Sequence, residues 1–203
     1  MTRGLLADIL EKAGFEVATV SNASDARRAC TLTDPDGVVL DVDLGFGPTG
    51  FDLADALLLE RPDLAILFLT NLPDSRFAGR TAESLPQGVG YLRRERLVEA
   101  GLLVSSLDVV LRGMTRSEHR DDTDPERPLA RLSKSQIDVL RMVALGNSNA
   151  QIAEARGTSV RAVQDVITRA LTAVGAPAEN EAASRVLAAR AYMRAAGIPV
   201  GDS

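Results

Sequence analysis

At 203 residues the chain has room for one large or two small domains, and 45% hydrophobic residues suffice to bury a core, which excludes a chain disordered throughout. A formal charge of −5 (23 basic, 28 acidic residues) argues, for the chain taken whole, against a nucleic-acid binder. One cysteine (Cys30) and one histidine (His119) exclude a disulfide framework, a cysteine-cluster metal site and most zinc, haem and Ser–His chemistry, and fit a reducing cytoplasm.

In chain order, Leu5, Leu6, Ile9, Leu10 and Ala13 recur at helical spacing, with Gly14 as a stop. Glu16–Val20 reads as a strand, Ala23–Thr31 as a helix and Gly37–Asp41 as a buried strand. A loop with Gly45, Gly47, Pro48 and Gly50 leads into a helix through Leu53, Leu57 and Leu58. Leu64–Thr70 is the strongest strand pattern, and its apolar run is far short of the roughly 18 residues of a membrane span. Another helix, a short strand at Val89–Leu92 and a helix from Arg96 to Leu111 follow. Strands alternating with helices predict an α/β doubly wound parallel sheet, with chemistry at the strand ends.

Between Thr115 and Arg131 the composition breaks: the stretch is charged, holds Pro125 and Pro128 and has almost no apolar residue. We therefore place a first domain at 1–113, a linker at 114–130 and a second domain at 131–203. The charge divides with it, since residues 131–203 carry nine basic and six acidic groups (+3) and residues 1–130 carry 14 and 22 (−8). The second domain has no strand pattern. Ser133 and Gln136 make a capping box before an amphipathic helix ended by Gly146. A short helix at Ser148–Arg156, a turn at Gly157 and a third helix capped by Thr158-Ser159 have the grammar of a helix-turn-helix. An alanine-rich fourth helix runs from Glu181 to Ala196.

Asp41 and Thr70 directly follow apolar strands, and Arg93-Arg94 follow the third, so a parallel sheet brings a carboxylate, a hydroxyl and a cation to one edge. Such a set suits phosphoryl transfer, with the carboxylate attacking, the hydroxyl holding a phosphoryl oxygen and the cation neutralising charge. A plainer reading also stands: Asp41 caps the next loop and Thr70 is an ordinary strand-end residue.

The segments GVVLDVDLGFGPTG, LFLTN and GVGYLRRE resemble the three signature strands of two-component response-regulator receiver domains, which have a flavodoxin-like fold. The stretch from Leu132 to Ala176 resembles the LuxR-type helix-turn-helix. The resemblance implies a phosphorelay transcription regulator whose phosphoacceptor is Asp41, with Thr70 and Tyr91 as switch residues. It also implies Mg²⁺ held by Asp41 and the backbone of Asp43. The chain departs from that family in three places. It begins inside what matches the family's first helix, without the first strand and its metal-holding acidic pair; we read this as an N-terminally truncated receiver, through a start codon set too far downstream, or else a degenerate receiver. The Mg²⁺ site is then incomplete. Arg94 stands where the family has lysine, and a planar guanidinium does not replace a compact ammonium conservatively. Leu44-Gly45 stands where many receivers have proline.

On the third helix of the second domain the outward residues are Arg161, Ala162, Gln164, Asp165, Thr168 and Arg169. Val163 either meets a thymine methyl or belongs to the core. Ser159 caps the helix, whose N-terminus favours a phosphate. Without the resemblance, a solvated helix in a protein-binding module fits these residues equally well. With it, the expected partners are double-stranded promoter DNA, a sensor histidine kinase and a second copy of the chain, with no membrane; the apolar face of Val186, Leu187 and Ala191 either pairs the two copies or packs on the module's own core. The alternative is a pseudo-receiver controlled by protein contact or ligand, independent of phosphorylation. An autonomous enzyme is not expected, because the sequence has neither a Gly-rich phosphate loop before a helix nor a catalytic His or Cys setting.

Overall fold

Three apolar runs form the strands β1 (Gly37–Leu40), β2 (Ala65–Thr70) and β3 (Gly90–Arg93). In the computed structural model, which describes residues 3–44, 47–81, 85–97, 100–176 and 180–200, they make one parallel sheet in the order β1-β2-β3. The register pairs Leu40 with Phe68, and Thr70 with Arg93. Around the sheet lie α1 (Arg3–Lys12), α2 (Ala23–Thr33), α3 (Gly50–Glu60) and α4 (Ala100–Leu111). Leu67, Leu69 and Leu92 pack against Leu103, Leu107 and Val110 of α4 and Leu10 of α1. Phe51, Phe68 and Tyr91 form a second cluster, with Phe51 and Phe68 edge-on at 4.8 Å.

Backbone contacts divide the chain into two units, residues 1–71 with 85–122 and residues 72–84 with 123–203, so the chain passes between them three times. The second unit is helical: α5 (Lys134–Ala144), α6 (Asn149–Ala155), α7 (Val160–Ala173) and α8 (Glu181–Ala195). Each starts at a side-chain cap (Ser133, Ser148, Ser159, Asn180), and Ser133–Gln136 and Ser148–Gln151 close reciprocal capping boxes. Gly157 takes φ +61 in the turn between α6 and α7, a conformation that other residues adopt with strain. Ile137, Leu140, Ile152, Val163, Ile167 and Leu171 make the core.

Two expected elements are not formed. Glu16–Val20 is not a strand; Phe15 and Val17 are half-buried against the α1–α4 core, and the Val20 carbonyl accepts from the Arg3 guanidinium at 2.8 Å. Alternation marks a residue row as able to pair but does not supply a neighbour, and no described strand lies alongside it. Among the described residues after β2, the expected helix is replaced by a 3₁₀ turn, Ser75–Ala78, started by the Asp74 side chain and ended at Gly79. Of the stretch read as a linker, residues up to Asp122 fall in the first unit and the rest in the second. Within it Arg120 bridges in parallel to Tyr91, and Asp121 and Asp122 are buried. Gly45 lies outside the described residues.

Candidate functional site

The ends of β1, β2 and β3 bring three of the expected residues together. Arg94 donates from Nη2 to Asp41 Oδ2 at 2.7 Å, and the Thr70 hydroxyl donates to the same carboxylate. Asp41 Oδ1 accepts the backbone N–H of Asp43 at 3.2 Å. The second arm of the Arg94 fork, Nε, reaches the Leu69 carbonyl at 3.4 Å, so the guanidinium bridges a strand-end carbonyl and the carboxylate. A lysine ammonium is a point charge on a flexible stem and lacks that fixed fork. The Asp41 side chain keeps 30% of its surface exposed and that of Arg94 keeps 27%, whereas Thr70 is buried. Burial pushes the Asp41 carboxyl above the usual carboxylate range, although Arg94, the Asp43 N–H and Thr70 all pull it down.

The loop carrying Asp41 is set by close approach. Gly50 begins α3, its N–H donates to the Val42 carbonyl at 2.9 Å, and a Cβ there would overlap the Asp41 carbonyl oxygen and lie 2.9 Å from its carbon. Thr49 and Asp52 form a reciprocal capping box that fixes this helix start. Tyr91, expected as a switch aromatic, is wholly buried and stacks on Phe51 with centroids 6.4 Å apart.

The Mg²⁺ that the receiver resemblance implies does not fit the described residues. No group of three or more His, Cys, Asp or Glu among them could hold a metal ion. The two Asp41 oxygens are engaged by Arg94 and by the Asp43 amide, and it is the N–H of Asp43 that faces the carboxylate. The positive charge beside Asp41 is the guanidinium.

In the helical unit, Arg161, Thr168 and Arg169 are exposed along α7, and Ala162 and Gln164 are half-buried. Ser159 accepts the Ala162 N–H at 3.1 Å, as a cap should. Val163 does not belong to this face: it is 1% exposed and packed among Ile137, Ile152 and Ile167, so it cannot meet a base. Gln164 and Thr168 border a polar cavity of about 350 Å³ with Asn149, Glu181 and Arg185. There Arg185 donates to the Asn149 Oδ1 and to the Asn147 carbonyl, and Asn149 donates to Glu181. On α8, Val186 is exposed, while Leu187 and Ala191 are half-buried.

The sequence reading missed the residues that hold the connecting segments. Asp121 accepts the Arg93 backbone N–H at 2.8 Å and pairs with Arg96, and Asp122 takes both arms of Arg120. Asp74 pairs with Arg76 and Arg127. The available signal was the interleaving of Asp with Arg, since buried charges of these types occur paired.

Comparison with known proteins is consistent with this architecture. A model of the response regulator receiver domain matches residues 1–88. The nitrate/nitrite response regulator protein homolog of Haemophilus influenzae is 30% identical over 159 residues, 75% of this chain and 74% of that protein. The DNA-binding transcriptional activator DevR/DosR of Mycobacterium tuberculosis is 26% identical over 182 residues, 87% and 80% of the two chains. In fold, the chain is similar to RcsB from Salmonella enterica serovar Typhimurium bound to promoter rprA, with a TM-score of 0.55, 16% identity and coverage of 93% and 91%. Among the described residues no helix is long and apolar enough to cross a membrane.

Proposed function

The chain belongs to the response regulators, and from that premise we propose that it is a DNA-binding transcription regulator whose input is a phosphoryl group accepted by Asp41. The observation that carries the reading is the convergence of Arg94 and the Thr70 hydroxyl on one partly exposed carboxylate. An Asp41 oxygen attacks the phosphorus of a small acyl phosphate or a phosphorylated kinase side chain; the new O–P bond forms as the donor's own breaks, leaving an aspartyl phosphate. Arg94 neutralises the added charge of roughly −1.5 to −2, and Thr70 donates to a phosphoryl oxygen. With a guanidinium as the cation beside Asp41, the transfer is slow.

The output is read by α7. Arg161, Thr168 and Arg169 are exposed on a helix that follows a turn, with the half-buried Gln164 beside them, the arrangement that enters a major groove. Gln164 suits adenine, and the two arginines suit guanine or phosphate. A module of charge +3 gains from pairing, and the exposed Val186 on α8 offers a contact between two copies on paired half-sites. With no described membrane-crossing helix, a cytoplasmic setting suits both partners.

Mass spectrometry of the full chain after incubation with acetyl phosphate tests the input. The expected result is labelling at Asp41 well short of one group per chain, equal with Mg²⁺ and with chelator, and lost in Asp41→Asn. Stoichiometric, Mg²⁺-dependent labelling would overturn the assignment of Arg94 as the neutralising cation, and absence of label would overturn Asp41 as acceptor. For the output, Arg161→Ala with Arg169→Ala should weaken binding to a random-sequence duplex and reduce the salt slope by about two. An unchanged slope would remove α7 from the interface.

A further inference from the structure

A cavity of about 190 Å³ lies within the sheet unit, between β3, α4 and the stretch around His119. One side of it is chain whose composition reads as linker. There Arg120 bridges in parallel to Tyr91, and Asp121 accepts the Arg93 N–H at 2.8 Å, which fastens the stretch beside β3. Asp122 takes both arms of Arg120, each at 2.8 Å, and holds the same stretch in shape. Leu92, Leu102 and Val109 give the cavity apolar walls, and the Arg96–Asp121 ion pair also borders it. The partners of Asp41, namely Arg94, Thr70 and the Asp43 amide, do not line it.

Two polar groups of the lining have hydrogen-bonding capacity left over. Ser106 of α4 is 5% exposed, and among the described residues its hydroxyl has no partner, whereas the neighbouring Ser105 hydroxyl donates to the Leu102 carbonyl at 3.2 Å. A buried hydroxyl left unpaired is costly, so one that borders open space is a place for a guest. The His119 side chain is 19% exposed, and its Nδ1 accepts the Arg116 N–H at 3.1 Å, which puts the hydrogen of the neutral ring on Nε2. That Nε2 stands 3.8 Å from Glu118 Oε1, too far for a hydrogen bond, and is a donor still to be used. The charges select against an anion, because the Arg96 guanidinium is met by Asp121 and Glu118 adds a further carboxylate. A metal ion is no better served, since no group of three or more His, Cys, Asp or Glu among the described residues could hold one. A cavity of about 150 Å³ accommodates benzene, so this volume suits a single ring. We propose that the cavity binds a neutral single-ring molecule carrying a hydroxyl, a phenol. Its ring packs on Leu92, Leu102 and Val109; its hydroxyl donates to Ser106 Oγ and accepts from His119 Nε2. The fastening of the His119 stretch to β3 forms the site in advance of the ligand.

Titration of the nitrogen-15-labelled full chain with phenol, followed by amide NMR shifts, tests it. Shifts should saturate at about millimolar phenol and stay confined to β3, α4 and residues 116–122. Benzene, which lacks the hydroxyl, should bind about tenfold more weakly, and benzoate and benzylamine should bind more weakly still. Ser106→Ala removes one hydroxyl and should weaken phenol about fivefold while leaving benzene unchanged. Val109→Phe fills the ring space and should abolish both; if that variant does not fold, the ratio of phenol to benzene in Ser106→Ala decides alone. Shifts that do not saturate, or that scatter over the surface, would overturn the site. Phenol bound no better than benzene, or unmoved by Ser106→Ala, would overturn the assigned contacts, and benzoate or benzylamine bound as tightly as phenol would overturn the neutral ligand. A folded Val109→Phe chain with unaltered phenol affinity would place the ligand elsewhere.

Discussion

Of the aspartates held by arginine, Asp41 in the sheet unit and Asp74 in the helical unit are tuned in opposite directions. Asp41 meets one guanidinium arm and stays partly open; burial dominates and its carboxyl is pushed up. Asp74 is far more enclosed, and burial alone would push it up further, yet donors from Arg76 and Arg127 outweigh that and hold it below the usual carboxylate range. Depth of burial therefore does not decide the charge state; the number and aim of the donors do. A carboxylate with spare surface and one cationic partner can still react, whereas one saturated by two arginines can only hold.

The largest test of that contrast is removal of each carboxylate. Asp74→Ala leaves two buried guanidiniums without their acceptor and should cost about 3–5 kcal/mol in urea unfolding of the full chain. Asp41→Ala should cost less than about 1 kcal/mol, because Arg94 retains access to water. Equal losses would erase the distinction. Next comes Gly50→Ala, where a Cβ meets the Asp41 backbone, not a yielding side chain. It should destabilise the sheet unit by about 1–3 kcal/mol and lower acetyl phosphate labelling at Asp41 with it.

The pH dependence separates the pair by sign. Asp74, depressed in the folded state, contributes stability that is fully present above the ordinary carboxylate range and lost as pH falls through its lower folded value. The deficit of Asp74→Asn should thus persist into acid before it closes. Asp41, raised in the folded state, costs stability while ionised, and that cost is relieved as pH falls through its folded value. Asp41→Asn should be the more stable chain at neutral pH, with the gap closing on acidification; a gap that widens instead would contradict the assignment. The smallest effect is expected of Arg94→Lys, which keeps the charge and gives up the long hydrogen bond to Leu69, a loss of about 0.5–1 kcal/mol in the same unfolding measurement.

How much of this was legible in the sequence follows from what each signal encodes. GVVLD and LAILFLT declared their strands and placed Asp41 and Thr70 at the ends, because a buried parallel strand is an apolar run that stops where solvent begins. The caps Ser133, Ser148 and Ser159 were equally plain, since capping is local. Glu16–Val20 failed as a strand because pairing needs a neighbour that local pattern does not report. Val163 stayed open between groove and core in the sequence, because a residue at a helix start points to either depending on how the helix is rotated, and packing fixes it in the core. The charged stretch around Asp121 and Arg127 reads as solvated by composition, and it is partly buried because Asp121 and Arg127 find their partners, Arg96 and Asp74, far away in sequence, while Asp122 pairs locally with Arg120.

That the same two residue types are set to react in one unit and to hold in the other is tested most directly by a carbon-13 carboxyl titration of the full chain, with Asp41→Asn and Asp74→Asn supplying the assignments. Asp41 should titrate above the ordinary aspartate range and Asp74 below it. Coincident midpoints, or the reverse order, would contradict the account.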